Sequence, residues 1–191
     1  MYGSPVGAFH RDRGGIRLKV LDQARVPAGG TGSAKAMGNY AGGLAILQAC
    51  RQEGFDDVLY LDARRLLHVT ETSGSNFFVL RRDGILLTPP LDDQILAGVT
   101  RDSVLTVARQ LLHIPVEERC FDVREVFQEG QELFCTGTAW AVQPVQELSY
   151  RGQSSSFPAR ELSSALAEII TGIMTGTRPD PFEWCHPVLA G

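Results

Sequence analysis

The sequence carries no excess of positive charge. Its 18 lysines and arginines are outnumbered by 22 aspartates and glutamates. No basic stripe runs along it, which argues against nucleic acid as a partner. Long apolar runs are missing too: none approaches the length that a bilayer span requires, so no membrane partner is expected. Cysteine is scarce. Cys50, Cys120, Cys135 and Cys185 stand far apart, without CxxC or CxxxC spacing. That pattern excludes the usual zinc sites and a small disulfide scaffold, and reduced thiols are the simpler reading. His10, His68, His113 and His186 form no pair at metal-ligand spacing, so no metal is expected. The opening residues, MYGSPVGAFHRDRGG, have none of the apolar core of a secretory signal; their glycines and prolines read as a linker or a cut interdomain segment.

What is present is an ordinary globular chain. Its 191 residues, 43% of them apolar, suit one domain or two small ones with a sizeable core. The pattern interleaves strands and helices, the mark of a mixed α/β fold. A short apolar stretch at 16–21 is a candidate strand. Helical character begins near Gly38, with Leu44, Leu47 and Cys50 spaced for one buried face and Gly54 as a stop. Strands are predicted at 57–61, 66–70 and 76–81. Asp83-Gly84 signals a hairpin, with a return strand at 85–88 ended by Pro89-Pro90. An amphipathic helix follows, its inner face marked by Val104, Leu105, Ala108, Leu111 and Leu112, with Thr100 as its N-cap candidate. Beyond Pro115 the pattern predicts a strand at 116–120, a helical turn at 123–127, and strands at 133–136 and 139–145. Leu162, Ala165, Leu166, Ile169, Ile170 and Ile173 mark the inner face of a last helix.

Four places could carry chemistry. Gly29-Gly30-Thr31-Gly32-Ser33-Ala34-Lys35 sets one cation among small residues, open to an approaching ligand. An amine shielded from water there would be a nucleophile towards a carbonyl; otherwise Lys35 is an exposed loop lysine. A phosphate loop of the Gly-Lys-Ser/Thr kind is excluded, because Ala34 and Ala36 flank Lys35. Glu71 lies near the end of an apolar strand and needs a hydrogen-bonding or charged partner, unless it sits on the rim of a turn. Gly98-Val99-Thr100 opens a helix, where free N–H groups and the helix dipole favour an anion, although most such ends bind only a cap. Thr136-Gly137-Thr138-Ala139 is a small, polar turn with donors for a phosphate or carboxylate, or an ordinary turn.

Taken in order, these segments resemble class IV aminotransferases, and among them the branched-chain amino-acid type. The likeness runs through Gly29 to Lys35 with Gly38-Asn39-Tyr40, through Val69-Thr70-Glu71 with Gly74 and Asn76, and through Thr88-Pro89-Pro90-Leu91 with Gly98-Val99-Thr100-Arg101. Thr136-Gly137-Thr138-Ala139 is similar to the family's Ser-Gly-Thr-Ala turn, and Ser4-Pro5-Val6-Gly7 to the junction between its two domains. The resemblance implies pyridoxal 5'-phosphate as cofactor and the α/β pseudo-barrel of fold type IV. It implies that Lys35 forms the imine and shuttles a proton. Tyr40 would bond the cofactor's phenolic oxygen, and Glu71 would keep its pyridine nitrogen protonated. Gly98, Val99 and Thr100 would bind the phosphate, with a further contact from Thr138. The Thr138-Ala139 backbone would face the substrate carboxylate. Trp140 and Gln143 stand where some members carry a CxxC pair, so a redox switch is not expected.

The expected activity is transamination between Leu, Ile or Val and 2-oxoglutarate, by a homodimer. Residues 1–24 are expected to be an interdomain linker and 25–191 the cofactor-binding C-terminal domain, with the family's N-terminal domain absent. Two other readings stand beside this one. Another class IV enzyme, an aminodeoxychorismate lyase or a D-amino-acid aminotransferase, would share the cofactor grip. A truncated, non-catalytic chain would bind cofactor or pair with a partner without turnover. The sequence leaves the compartment open among cytoplasm, mitochondrion and plastid.

Overall fold

The computed structural model describes residues 14–186; the motif at 4–7 and His10 lie outside them. In chain order the elements are β1 (Ile16–Val20), α1 (Gly38–Ala41), α2 (Leu44–Gln52), β2 (Asp57–Leu61), β3 (Val69–Thr72), β4 (Asn76–Arg81) and β5 (Leu86–Thr88). Then come α3 (Val99–Gln110), β6 (Val116–Glu118), α4 (Val123–Glu129), β7 (Gly130–Gly137), β8 (Ala141–Tyr150), β9 (Gln153–Ser156) and α5 (Glu161–Met174). The strand order is β3-β2-β1-β8-β7-β4, and a further β3–β4 pairing closes these into a ring. β5 and β6 extend it beyond β4, and β9 lies against β8. A closed mixed barrel of this kind is the pseudo-barrel that the resemblance implied.

β1 lies inside the 1–24 segment expected to be linker, yet it is a barrel strand paired in parallel with both β2 and β8. Its alternation decides this. Ile16, Leu18 and Val20 are buried, while Arg17 and Lys19 between them are half-exposed, the pattern of a strand with one face on a core. A parallel β1–β2 pair needs a long crossover connection. Residues 21–56 provide it, and they carry the Lys35 loop, α1 and α2.

Two apolar layers hold the fold. Inside the ring, Leu18, Leu59, Leu61, Phe77, Leu133 and Leu148 meet Val123 and Val126 of α4. Outside it, Phe78 and Phe134 pack under Val104, Val107 and Ala108 of α3 and Leu166 and Ile170 of α5. The Phe78 and Phe134 rings stack at 5.0 Å and 8°, a geometry worth about 1 kcal/mol beyond area burial. The first turn of α5 is closed by β7: the buried Glu132 carboxylate accepts from the N–H groups of Leu162 at 3.0 Å and Ser163 at 2.6 Å.

Several boundaries differ from expectation. The 66–70 strand begins only at Val69. Leu66 has a left-handed backbone (φ 51°), and Asp62 gathers the N–H groups of Arg64, Arg65, Leu67 and His68 into a turn. α2 buries Cys50, but Leu44 is 63% exposed, because the helix rests on β2 through one edge. The helix at 99–110 is capped by Gly98, not Thr100, which sits in its first turn. β9 carried no apolar signal, its QSSS sequence being largely exposed.

Candidate active site

The site grows from an irregularity in β3. Cross-strand neighbours share a face of a sheet. Leu59 pairs with Thr72 and Leu61 with Val69, with a register shift between them. Val69 and Thr72 therefore both face the barrel interior, and the shift turns Glu71 to the outside. There Glu71 pairs with Asn76, and Asn76 with Thr136, so acid, amide and hydroxyl form one row across β3, β4 and β7.

Glu71 is 4% exposed. It forms an ion pair with Arg25, whose side chain is equally buried. It also accepts from the Asn76 amide at 3.2 Å and from the Leu96 N–H at 3.3 Å. Burial pushes its pKa up to about 7, against the downward pull of Arg25, the Leu96 N–H and the Lys35 charge. A carboxyl so poised exchanges a proton readily with a nitrogen base of similar affinity. Asn76 also donates to the Leu96 carbonyl at 2.9 Å, which ties β4 to the segment leading into α3.

Lys35 hangs from the crossover loop. Asn39 clamps that loop, donating to the carbonyls of Thr31 at 2.7 Å and Ala34 at 3.0 Å, while the Thr31 hydroxyl donates back at 2.6 Å. Gly32 is required by close approach: a Cβ there would stand 2.6 Å from the Asp93 carbonyl. The Lys35 ammonium lies 5.3 Å from the centre of the Tyr40 ring and the Arg25 guanidinium 5.8 Å from it. Lys35 is exposed rather than shielded from water, so it is reached from outside the barrel. Tyr40 is half-buried and lines the same small recess as Glu71 and Asn76.

Two larger cavities meet at Lys35. One, of about 250 Å³, is walled by Lys35, Asn76, Gly98, Val99, Thr100, Thr136 and Thr138. The Gly98 end of α3 has no side-chain cap, so its N–H groups and dipole are open to an anion. Thr136 is 2% exposed, and its hydroxyl has no hydrogen-bond partner. Buried polar groups are nearly always paired; an anion in this cavity would supply the missing acceptor. Gly98 also cannot be larger, since a Cβ would stand 2.2 Å from the Asn76 Oδ1. The second cavity, of about 340 Å³, is walled by Lys35, Tyr40, Gly137, Thr138, Ala139 and Trp140.

The fold thus brings Lys35, Tyr40, Glu71, Gly98, Val99, Thr100, Thr138 and Ala139 to one side of the barrel. Arg25, Asn76 and Thr136 belong with them. Arg25 carried no signal of its own. Asn76 and Thr136 had one: each stands in a motif of the resemblance, at the end of a strand beside an apolar run. Among the described residues no cluster of three or more His, Cys, Asp or Glu is placed to hold a metal, and no helix is long and apolar enough to cross a membrane.

A model of the amino-transferase class IV family matches residues 4–148. The chain belongs to that family. It is 36% identical over 189 residues to a chloroplastic branched-chain amino acid aminotransferase 2 of Humulus lupulus, covering 96% of this chain and 46% of that protein. Among solved structures, the branched-chain amino acid aminotransferase of Escherichia coli superposes with a TM-score of 0.81 at 27% identity, over 95% of this chain and 59% of that one. The PLP form of the Thermobaculum terrenum branched-chain enzyme gives 0.76 at 26%, over 86% and 52%. The chain spans about half the length of the curated relatives it matches.

Proposed function

We propose that this chain holds pyridoxal 5'-phosphate and serves the transamination of branched-chain amino acids. The net reaction moves an amino group from leucine, isoleucine or valine to 2-oxoglutarate, leaving a branched 2-oxo acid and glutamate. The observation that carries the reading is a single arrangement: an amine, a buried acid and an uncapped helix end converge on connected cavities on one side of the barrel. Those are the three handles that an aldehyde-bearing, phosphorylated pyridine needs. The fit is supported by Thr136, whose buried hydroxyl lacks a partner beside the helix end. When bound, the cofactor supplies an aldehyde and an electron-withdrawing ring that accepts the electron pair released at the substrate α-carbon.

The residues divide the work. Lys35 would offer its amine to the aldehyde carbon, and afterwards would hold the proton taken from the substrate α-carbon and return it to the former aldehyde carbon. Glu71 holds a proton at the ring nitrogen, with Arg25 and Asn76 fixing the carboxylate's direction. Tyr40 lies beside Lys35 and offers its hydroxyl to the ring oxygen. The N–H groups that follow Gly98, with Val99, Thr100, Thr136 and Thr138, bind the phosphate. Thr138 and Ala139 present backbone donors to the substrate carboxylate. As in the relatives' names, the side chain served is branched and aliphatic; the homodimer is carried over from the family resemblance.

Visible absorption tests the reading. Adding pyridoxal phosphate to the purified chain should give a new band, and borohydride should then fix the cofactor's mass on the peptide that contains Lys35. Lys35→Ala should show neither. A wild-type chain that gives no band and no labelled peptide would refute the proposal.

A further inference from the structure

The phosphate grip depends on where the first turn of α3 points, and one side chain in that turn is tied to the sheet. Val99 and Asp102 are exposed and Thr100 is half-buried. The apolar contacts of α3 begin only at Val104. Among these polar and exposed positions Arg101 is buried, at 3% exposure. Its Nη2 donates to the Pro89 carbonyl at 2.9 Å and to the Glu118 carboxylate at 2.8 Å. Glu118 also accepts from Arg109 of the same helix at 2.8 Å. Pro89 follows β5, and Glu118 ends β6, where it pairs with Thr88. The Arg101 Cβ lies 3.5 Å from where a Cβ of Gly98 would be. Arg101 therefore stands beside the helix end but is not part of the cavity wall that Gly98, Val99 and Thr100 form.

Stability does not account for an arginine here. A cation in the first turn adds to the positive end of the helix dipole, and a buried ion pair is often no more stabilising than apolar residues of similar volume. What the guanidinium does supply is fixed geometry. Hydrogen bonds weaken steeply as they leave the line of the donor, so N–H groups on a fraying turn would grip a phosphate poorly. We infer that Arg101 is a positioning residue for the phosphate: anchored on Pro89 and Glu118, it keeps the first-turn N–H groups of α3 aimed into the cavity. This rests on the function proposed above.

Pyridoxal phosphate and pyridoxal, which differ only by the phosphate, separate this role from a general one in folding. Both are titrated into the full chain by calorimetry. The wild type should hold the phosphorylated compound at least about a hundredfold more tightly. Arg101→Gln should cut that ratio about tenfold, with pyridoxal affinity unchanged. Arg101→Lys, whose ammonium can donate to both oxygens, should keep most of the ratio. An unchanged ratio in Arg101→Gln would overturn the inference. So would equal losses for both compounds, which would make Arg101 a purely structural residue. If Arg101→Gln does not fold, Glu118→Gln decides: it leaves the Pro89 contact and should cut the ratio about threefold, and an unchanged ratio there would overturn the inference as well. A wild type that does not distinguish the two compounds would remove the proposed function itself, and the inference with it.

Discussion

Two helices begin against the same sheet and are finished differently. The first turn of α5 meets Glu132, a carboxylate from the neighbouring strand that takes two of its N–H groups. The first turn of α3 meets no side chain; Gly98 precedes it and a cavity lies in front. Both ends present the same unsatisfied donors and the same partial positive charge. One is neutralised from within the chain, and the other faces outward beside a lysine. Where no side chain accepts from a helix's first N–H groups, that end is available to an external anion, and the buried Thr136 hydroxyl beside it has no partner either.

The contrast can be broken from either side. The largest effect is expected at the filled end. Glu132→Ala strips two buried N–H groups of their acceptor and should destabilise the chain by roughly 4 kcal/mol, at about 2 kcal/mol for each orphaned donor. Thermal melting would show it, and pyridoxal phosphate affinity of the remaining folded chain should be unchanged. A loss of affinity matching the loss of stability would mean that the two helix ends are not independent.

Next comes the other buried carboxyl. The pKa of Glu71 is raised from 4.5 to about 7 by burial, so the cofactor-free folded chain binds the extra proton more tightly than the unfolded chain. Its stability contribution is full below pH about 4.5 and is lost as pH rises through about 7, by roughly 3 kcal/mol at most. Denaturant melts across that window should show the slope, and Glu71→Gln should flatten it. A flat wild-type profile would show that Arg25 holds Glu71 ionised throughout.

The smallest effect belongs to the open end. In Gly98→Ala the new methyl would collide with Asn76, which is pinned to Glu71 and the Leu96 carbonyl. Pyridoxal phosphate affinity should fall about tenfold, equivalent to about 1.4 kcal/mol, with a loss of stability of about 1 kcal/mol as Asn76 is pushed aside. Unchanged affinity in a titration would place the phosphate elsewhere.

Much of this was legible in the sequence where the signal was local. Short apolar runs marked the strands at 57–61 and 76–81, and helical spacing marked α3 and α5. The motifs around Lys35, Glu71, Gly98 and Thr138 came through resemblance, and the fold does gather them. What escaped was set by pairing. The stretch at 16–21 reads as a candidate strand, but only its two parallel neighbours move it from the expected linker into the barrel. Glu71 reads as an interior residue if β3 alternates strictly; only the register shift against β2 puts it outside. Arg25 stood among glycines and prolines with nothing to point it at an acid far along the chain. Leu44 has the right spacing for a buried face and lacks a surface to bury it.

The place of β1 has a consequence for how the chain may be cut. The ring closes through β1, between β2 and β8. Any fragment that omits either Ile16–Val20 or the 145–149 part of β8 leaves two raw edges, with rows of unmatched N–H and C=O groups. Such edges invite pairing with other chains. Lys35 hangs on the connection that leaves β1, so a cut just upstream of the lysine would take Ile16 and Arg25 from the cavity walls and open the barrel that holds the rest.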